Sequence, residues 1–434
     1  MYPVLSIIRR RPTTAVIAAL FLALAALPLQ AQQASPLSLD EALGIAQANA
    51  PALNASAHGA RASNHLAIAA SQLPDPVLRA GIDNLPLTGP DRLSLGRDFM
   101  TMRRIGVMQE YVSSGKRQLI RERNELEAAR QDASRRKLTT NLRRDVAIAW
   151  FDRYYAAESR KLLKTLAAEV EVQLRTLDSQ LRAGKAAAVE SPMASAVLLQ
   201  TRDRMLMVDK QERLASIVLA RWLGDEAKRT PGTLPDIAEL PPDLASPDVA
   251  SAAPSLLEHS RELDIARTEL AIAEKNKRPN WSWELAYQQR GSAYSNMVSV
   301  GISVPLPVNA SNRQEQEIAA KREQVEQAEE LHEDMRREVQ AGLAASYVEW
   351  QSLIDRRKRL GGALLPLARQ RIDLSLASYR AGQASLASVL EARRAEVETR
   401  LQLLDLERET ARLWAELQYV YGEAAKAHAP GAQP

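Results

Sequence analysis

The chain states its architecture twice. Leu181-Arg182-Ala183-Gly184 returns as Tyr379-Arg380-Ala381-Gly382, and each glycine is followed 40 residues later by another, Gly224 and Gly422. Upstream, Ile105-Gly106-Val107 is matched by Val300-Gly301-Ile302 at an offset of 195, and Arg117 by Arg313 at 196, close to the 198 that separates the later landmarks. A near-constant offset over some 118 residues marks a duplicated structural unit, so fold and function must be read per repeat.

The division that follows is a signal at 1–31, a first repeat at 32–230, a linker at 231–254, a second repeat at 255–422 and a flexible tail at 423–434. Arg9, Arg10 and Arg11, an apolar run from Ala15 to Leu27 and Leu29-Gln30-Ala31 before the cut have the layout of a secretory signal. The alternative, an uncleaved anchor, would have to span a bilayer with fewer than the ~20 apolar residues a helix needs. An exported chain with no cysteine has neither disulfides nor thiolate metal ligands, and is expected to be non-lipidated. With only 18 glycines and 3 phenylalanines among abundant Ala, Leu, Arg, Glu and Gln, the composition is that of long helices. A dispersed net charge of +4 argues against a nucleic-acid partner.

Each repeat opens on a helix. In the first, Ser38 has the place of an N-cap with Glu41 three residues on, and the helix is expected to run to about Gln72, where Pro74-Asp75-Pro76 ends it. The period then changes to two. Leu78, Ala80 and Ile82 alternate with Arg79, Gly81 and Asp83, predicting a strand at about 77–83. A Gly-, Pro- and Asp-rich loop follows, then a second strand at about 101–112. In the second repeat Trp281, Trp283, Leu285 and Tyr287 share one face of a strand at about 281–290. Val298, Val300, Ile302 and Val304 share one face of another at about 297–306. Each repeat thus holds one two-stranded hairpin with a polar loop.

Long helices come next, 116–181 and 313–379, each roughly 100 Å at 1.5 Å per residue. In the second, Ile318, Val325, Ala328, Met335, Val339, Leu343, Tyr347, Trp350 and Ile354 recur in steps of threes and fours, the seam of a coiled coil. Each helix meets its Arg-Ala-Gly, turns, and returns over 190–223 or 389–421.

Four strands with an apolar face cannot stand alone. If that face meets lipid, only a closed barrel pairs every backbone group, and four strands are too few to close one. Three copies would supply twelve, and symmetric closure leaves no free edge. Trp281, Trp283 and Tyr287 suit the aromatic belt of a membrane interface. The competing reading is a small sheet packed on the helices, with these aromatics as core. The expected class is therefore mainly α with a small membrane β part. Its duplicated helical-hairpin and β-hairpin repeat would trimerise into a 12-stranded outer-membrane barrel on a long α-helical barrel.

The helix–hairpin–helix–turn–helix unit, the Tyr379-Arg380-Ala381-Gly382 turn followed by Val389-Leu390-Glu391-Ala392, and the Val-Gly-Ile-Ser-Val-Pro-Leu-Pro strand ending at Pro307 resemble the TolC-like outer-membrane efflux factors. The resemblance spans about 37–422. It implies a homotrimer in the outer membrane of a Gram-negative bacterium, reaching into the periplasm. It also implies a periplasmic adaptor that delivers substrate from an inner-membrane pump of the proton-driven kind. The Pro74-Asp75-Pro76 entry and overall length are similar to channels of cobalt-zinc-cadmium efflux systems.

What the resemblance implies for residues is specific. Arg182, Ala183, Gly184, Arg380, Ala381 and Gly382 fall at the periplasmic tip and are candidates for adaptor docking. A helix-reversal glycine also stands without any partner, since φ > 0 suits glycine alone. The family often carries an acid six residues past the tip glycine. Here Glu190 has that place in the first repeat and Ser388 in the second, so Glu190 is either an aperture ring or ordinary surface charge. Tyr379 matches a family tyrosine, but Leu181 replaces it in the first repeat, so a hydrogen-bonded gate must be asymmetric. His58, His65, His259, His332 and His428 offer one close pair and no specific metal site, and no cofactor is expected.

The sequence has no phosphate-binding glycine loop, His-Glu-x-x-His, catalytic cysteine or Gly-x-Ser-x-Gly, so an enzyme is not expected. Two other classes remain open. One is a type I secretion conduit for polypeptides, and the other is a periplasmic coiled-coil adaptor or spacer.

Overall fold

The computed structural model describes residues 35–184, 187–241, 244 and 247–422. The signal expected at 1–31 and the tail at 423–434 lie outside the described residues. The first repeat runs α1 (Leu39–Ala48), α2 (Pro51–Ala70), β1 (Val77–Asp83), β2 (Met102–Tyr111), α3 (Ser114–Arg182) and α4 (Glu190–Leu223). The second runs α5 (Pro254–Lys275), β3 (Trp281–Gln289), β4 (Met297–Ser303), α6 (Gln314–Arg359), α7 (Leu365–Arg380) and α8 (Leu386–Glu416).

Several boundaries differ from expectation, each for a local reason. Ser38 Oγ does accept from the Glu41 amide at 3.1 Å. The helix it caps stops at Ala48, however, because Ala50 is extended ahead of Pro51, which can only restart a helix. The helix expected at 313–379 is not one α rod: a π turn, Leu360–Leu364, separates α6 from α7, with Gly361 and Gly362 inside it and Pro366 just beyond. Pro366 lacks the N–H that the α ladder needs there. The return helix expected at 389–421 starts at Leu386, after extended Ser385, and passes into a π turn at Leu417–Tyr421. β4 ends at Ser303 rather than 306, because Pro305 and Pro307 have no amide hydrogen for a ladder. Thr101 precedes β2, its buried hydroxyl donating to Asn84 O at 3.0 Å. Gly224 has φ 59 and closes α4, whereas Gly422 is helical at φ −67, so that duplicated landmark marks two conformations.

The four strands form one antiparallel sheet in the order β1-β2-β3-β4. Below it, α3 packs against α2, α4, α5 and α8, and α8 packs against α6 and α7. This leaves α4 on one flank of the helical layer and α6–α7 on the other. One core lies midway along the helices, where α1, α3, α6, α8 and the inter-repeat linker converge around Trp150, Phe151, Leu219, Leu244 and Trp414. A smaller one near the reversals joins Leu166, Val170, Leu177, Leu198, Leu390 and Val397.

The N-terminal segment and the linker are tied together beside the first core. Leu37 pairs with Pro231 in a parallel bridge, its amide donating to Thr230 O at 2.8 Å. Arg229 reaches Glu41 at 2.7 Å, Glu226 at 2.9 Å and Ser35 O at 2.8 Å. These bonds hold the Glu41 carboxyl below the usual carboxylate range. Arg153, buried in α3, donates to Ala227 O and to Lys228 O (3.1 Å), and so satisfies carbonyls of the turn that follows α4.

Candidate functional site

The sheet has two chemically opposite faces, and neither is covered by helices. Register places Ile82, Arg103 and Gln289 in one row, Ala80, Ile105, Tyr287 and Val298 in the next, then Leu78, Val107, Leu285 and Val300. These rows continue through Trp283 and Ile302 to Trp281 and Tyr111. All the large apolar side chains in them are exposed, Val300 by 75%. The packed-sheet reading of Trp281, Trp283 and Tyr287 therefore does not hold: the three rings stand on the open face. Trp281 packs on Tyr111 at 5.2 Å between ring centroids, at the end of the sheet where the helices begin.

The opposite face is polar. Arg104 is ion-paired with Glu284 and lies 3.8 Å from Asp83, while Arg79 reaches Glu284 at 3.4 Å. Gly106 sits opposite Ala286 on this face. A Cβ there would come within 2.7 Å of the alanine methyl, so close strand approach requires glycine. β1 and β4 each have a partner on one side only, which leaves a hydrogen-bonding edge at both flanks.

At the far end, Gly184 (φ 68) and Gly382 (φ 71) both occupy the left-handed region that reverses a helix. Arg182, Ala183, Arg380 and Ala381 are exposed beside them, and Arg182 pairs with Asp178 at 2.5 Å along its own helix. Glu190 is the first residue of α4, where the helix dipole favours a carboxylate. Ser388 turns inward on its own helix start, donating to Ser385 O at 2.7 Å. Tyr379 crosses between the repeats: its hydroxyl lies 3.3 Å from Gln180 Nε2 and 3.4 Å from Oε1. The structure thus brings Tyr379 to the residue beside Leu181, while Glu190 and Ser388 make no recorded contact with each other.

The sequence reading missed the further bonds between the two helical hairpins. Arg412 forks onto Asp152 at 2.8 and 2.6 Å, Arg393 reaches Glu169 at 3.4 Å, and Arg204 pairs with Glu398. Glu396, 1% exposed in α8, is held by Arg400 at 2.5 Å and faces Arg369 at 3.8 Å. Higher up, burial pushes the carboxyl of Glu407 above its ordinary range, partly opposed by the charge of Arg357. The buried Tyr155 hydroxyl is likewise raised, by burial first and by Glu407 second. No spacing signal reveals the pairs Arg412–Asp152, Arg393–Glu169 and Arg204–Glu398, because their partners lie on different repeats.

Among the described residues no helix is long and apolar enough to cross a membrane, and no cluster of three His, Cys, Asp or Glu is placed to hold a metal ion. The exposed apolar face of the sheet is a surface suited to lipid.

Residues 246–423, which cover the second repeat, match the family described as outer membrane efflux protein. That match covers less than half of the chain, and the family it describes is one of channel proteins and not enzymes. Structural similarity extends over both repeats. CusC superimposes with a TM-score of 0.74 at 18% identity, covering 88% of this chain and 92% of that one. VceC of Vibrio cholerae gives 0.72 at 16% identity over 88% and 96%. The open state of MtrE from Neisseria gonorrhoeae gives 0.73 at 16% over 88% and 88%. At such identities the likeness concerns the fold. No curated protein sequence matches the chain.

Proposed function

We propose that three copies of this chain form the outer-membrane exit duct of a tripartite efflux pump in a Gram-negative bacterium. One observation carries the reading: a four-stranded sheet with an exposed apolar face, a charged opposite face and an unpaired strand at each edge. In a bilayer each unpaired backbone group costs several kcal/mol, so β4 of one copy must meet β1 of the next. Three copies close an even, twelve-stranded ring with the Arg104–Glu284 face inward. The flanks of the helical layer, α4 and α6–α7, meet in the same rotation and continue the ring as a helical tunnel through the periplasm.

The duct conducts passively. An adaptor docks on the six reversals formed by Arg182-Ala183-Gly184 and Arg380-Ala381-Gly382, and a proton-driven inner-membrane pump supplies the energy. Metal cations are the proposed cargo, supported by the similarity of the Pro74-Asp75-Pro76 entry and the chain length to cobalt-zinc-cadmium systems. Membrane fractionation with chemical cross-linking tests the assembly. Trimers in the outer-membrane fraction are expected, and a soluble periplasmic monomer would refute the reading. Loss of the gene should sensitise cells to cobalt, zinc or cadmium more than to organic drugs; the reverse order would remove metals as cargo. A ring of three Glu190 carboxylates near the aperture predicts that Glu190→Ala lowers cation preference in planar-bilayer conductance, whereas unchanged selectivity would leave Glu190 as surface charge.

A further inference from the structure

The loop between β1 and β2 is not the purely polar connection its composition suggests. Leu87, Leu93, Leu95, Phe99 and Met100 are all exposed. Leu93 is also held at φ 55, a left-handed conformation that strains a residue with a side chain, with its amide bonded to Pro86 O at 2.8 Å. The loop is built, not slack. Asp98 accepts from the amides of Met100 (2.9 Å) and Thr101 (3.1 Å), and Arg290 donates to Phe99 O while stacking on Tyr294. Gly291 packs so closely on Gly96 that a Cβ would fall 1.8 Å from its carbonyl oxygen. A rigid loop that spends strain on presenting apolar side chains outward is shaped for a contact.

Three exposed arginines accompany those side chains. Arg103 shares the lipid-type face with Ile105 and Val107, eight residues from Tyr111. At about 3.4 Å per residue that is about 27 Å along the strand, or about 20 Å of height at a tilt near 40°. The Tyr111–Trp281 pair and Arg103 therefore span most of the apolar band of about 25 Å, and the long arginine side chain carries its guanidinium on toward the opposite headgroup level. Arg92 and Arg97 lie just beyond it in the loop. Arg97 has Asp91 at 3.6 Å, and Arg92 forms no ion pair among the described residues.

We propose that residues 87–103 are a docking surface for a phosphorylated outer-leaflet glycolipid, with Arg92, Arg97 and Arg103 on its phosphates and the loop's apolar side chains against its acyl chains. Two features select this occupant. The loop's exposed apolar side chains follow the apolar face of β1 along the chain, and the three guanidinium groups match phosphate charge and fork geometry. The inference rests on the outer-membrane placement proposed above.

The test uses the full-length protein in phosphatidylcholine nanodiscs carrying either diphosphorylated lipid A or the same lipid dephosphorylated, with retained glycolipid counted by mass spectrometry. Wild type should retain the phosphorylated form about fivefold or more in excess, and added salt should shrink the excess. R92Q/R97Q/R103Q, shown by cross-linking to remain trimeric, should lose the preference. If that variant fails to assemble, R92Q/R97Q, confined to the loop, is measured instead. Equal retention of both lipids by wild type, a preference that survives the substitutions, or full displacement by millimolar inorganic phosphate each overturns the proposal. All three leave the channel reading intact, since that reading fails only if wild type is absent from the outer-membrane fraction.

Discussion

Trp150 and Trp350 do the same job 200 residues apart. Each donates its indole N–H to a main-chain carbonyl 113 residues earlier, Leu37 at 3.0 Å and Ile237 at 3.2 Å. The N-terminal segment and the inter-repeat linker therefore occupy equivalent places, and the duplication extends to segments with no regular structure. A buried carbonyl left without its donor costs about 1–3 kcal/mol.

Trp150→Phe should lower the thermal midpoint of the assembled protein by several degrees, and Trp350→Phe by less. The reason is burial: Trp150 is 0% exposed and Trp350 8%. Differential scanning fluorimetry checks the order; equal shifts would mean that the indole bonds contribute little beyond shape.

Replacing Gly184 and Gly382 with valine should spare the barrel and damage the tip. A left-handed residue with a side chain costs about 1–2 kcal/mol, and branching adds to it. Nothing lies within 4 Å of either Cβ position, so the effect is conformational and not a clash. Trimers should remain in the membrane while transport is lost, as read by cross-linking beside an export assay. Trimers lost altogether would assign the glycines to assembly.

Tyr379→Phe removes the hydroxyl that meets Gln180 and leaves the ring in place. One neutral hydrogen bond is worth about 1 kcal/mol, and the proposed trimer would contain three of them. Single-channel conductance at the closed level should rise, with Gln180→Ala giving the same result and the double variant no further increase. An additive double variant would show that the two residues act separately.

Glu407 supplies a pH dependence with a definite sign. Burial raises its folded-state pKa above the ordinary 4.5. Its contribution to stability is therefore full below pH 4.5 and is lost as pH rises through the raised value. Glu407→Gln should raise the unfolding midpoint at neutral pH and flatten its slope just above pH 4.5. A variant less stable than wild type at pH 7 would mean that the attraction of Arg357 outweighs burial.

The strands were legible because a sheet with one apolar face writes its period into the chain, as Trp281, Trp283, Leu285 and Tyr287 do. The reversals were legible because only glycine takes φ near 70° without strain, so Gly184 and Gly382 announce themselves. Pro51 was overridden by the helical composition around it, although the rule that it restarts a helix needs no structure. The π turn at Leu360–Leu364 was harder. Its Gly361-Gly362 pair and Pro366 lie inside an otherwise helical pattern, and the extra residue per turn shifts the apolar period without interrupting it. The bonds of Trp150 to Leu37, Arg412 to Asp152 and Tyr379 to Gln180 were not legible at all. They depend on which helices become neighbours, and amphipathic periodicity says which face is buried but not against what.

The open edges of β1 and β4 bear on inheritance. In the proposed ring every subunit must offer both a first and a last strand to its neighbours, so one chain with a damaged edge spoils the two sound chains that join it. A lesion in either strand should thus behave as a dominant mutation, whereas a chain whose strands never reach the ring should be recessive.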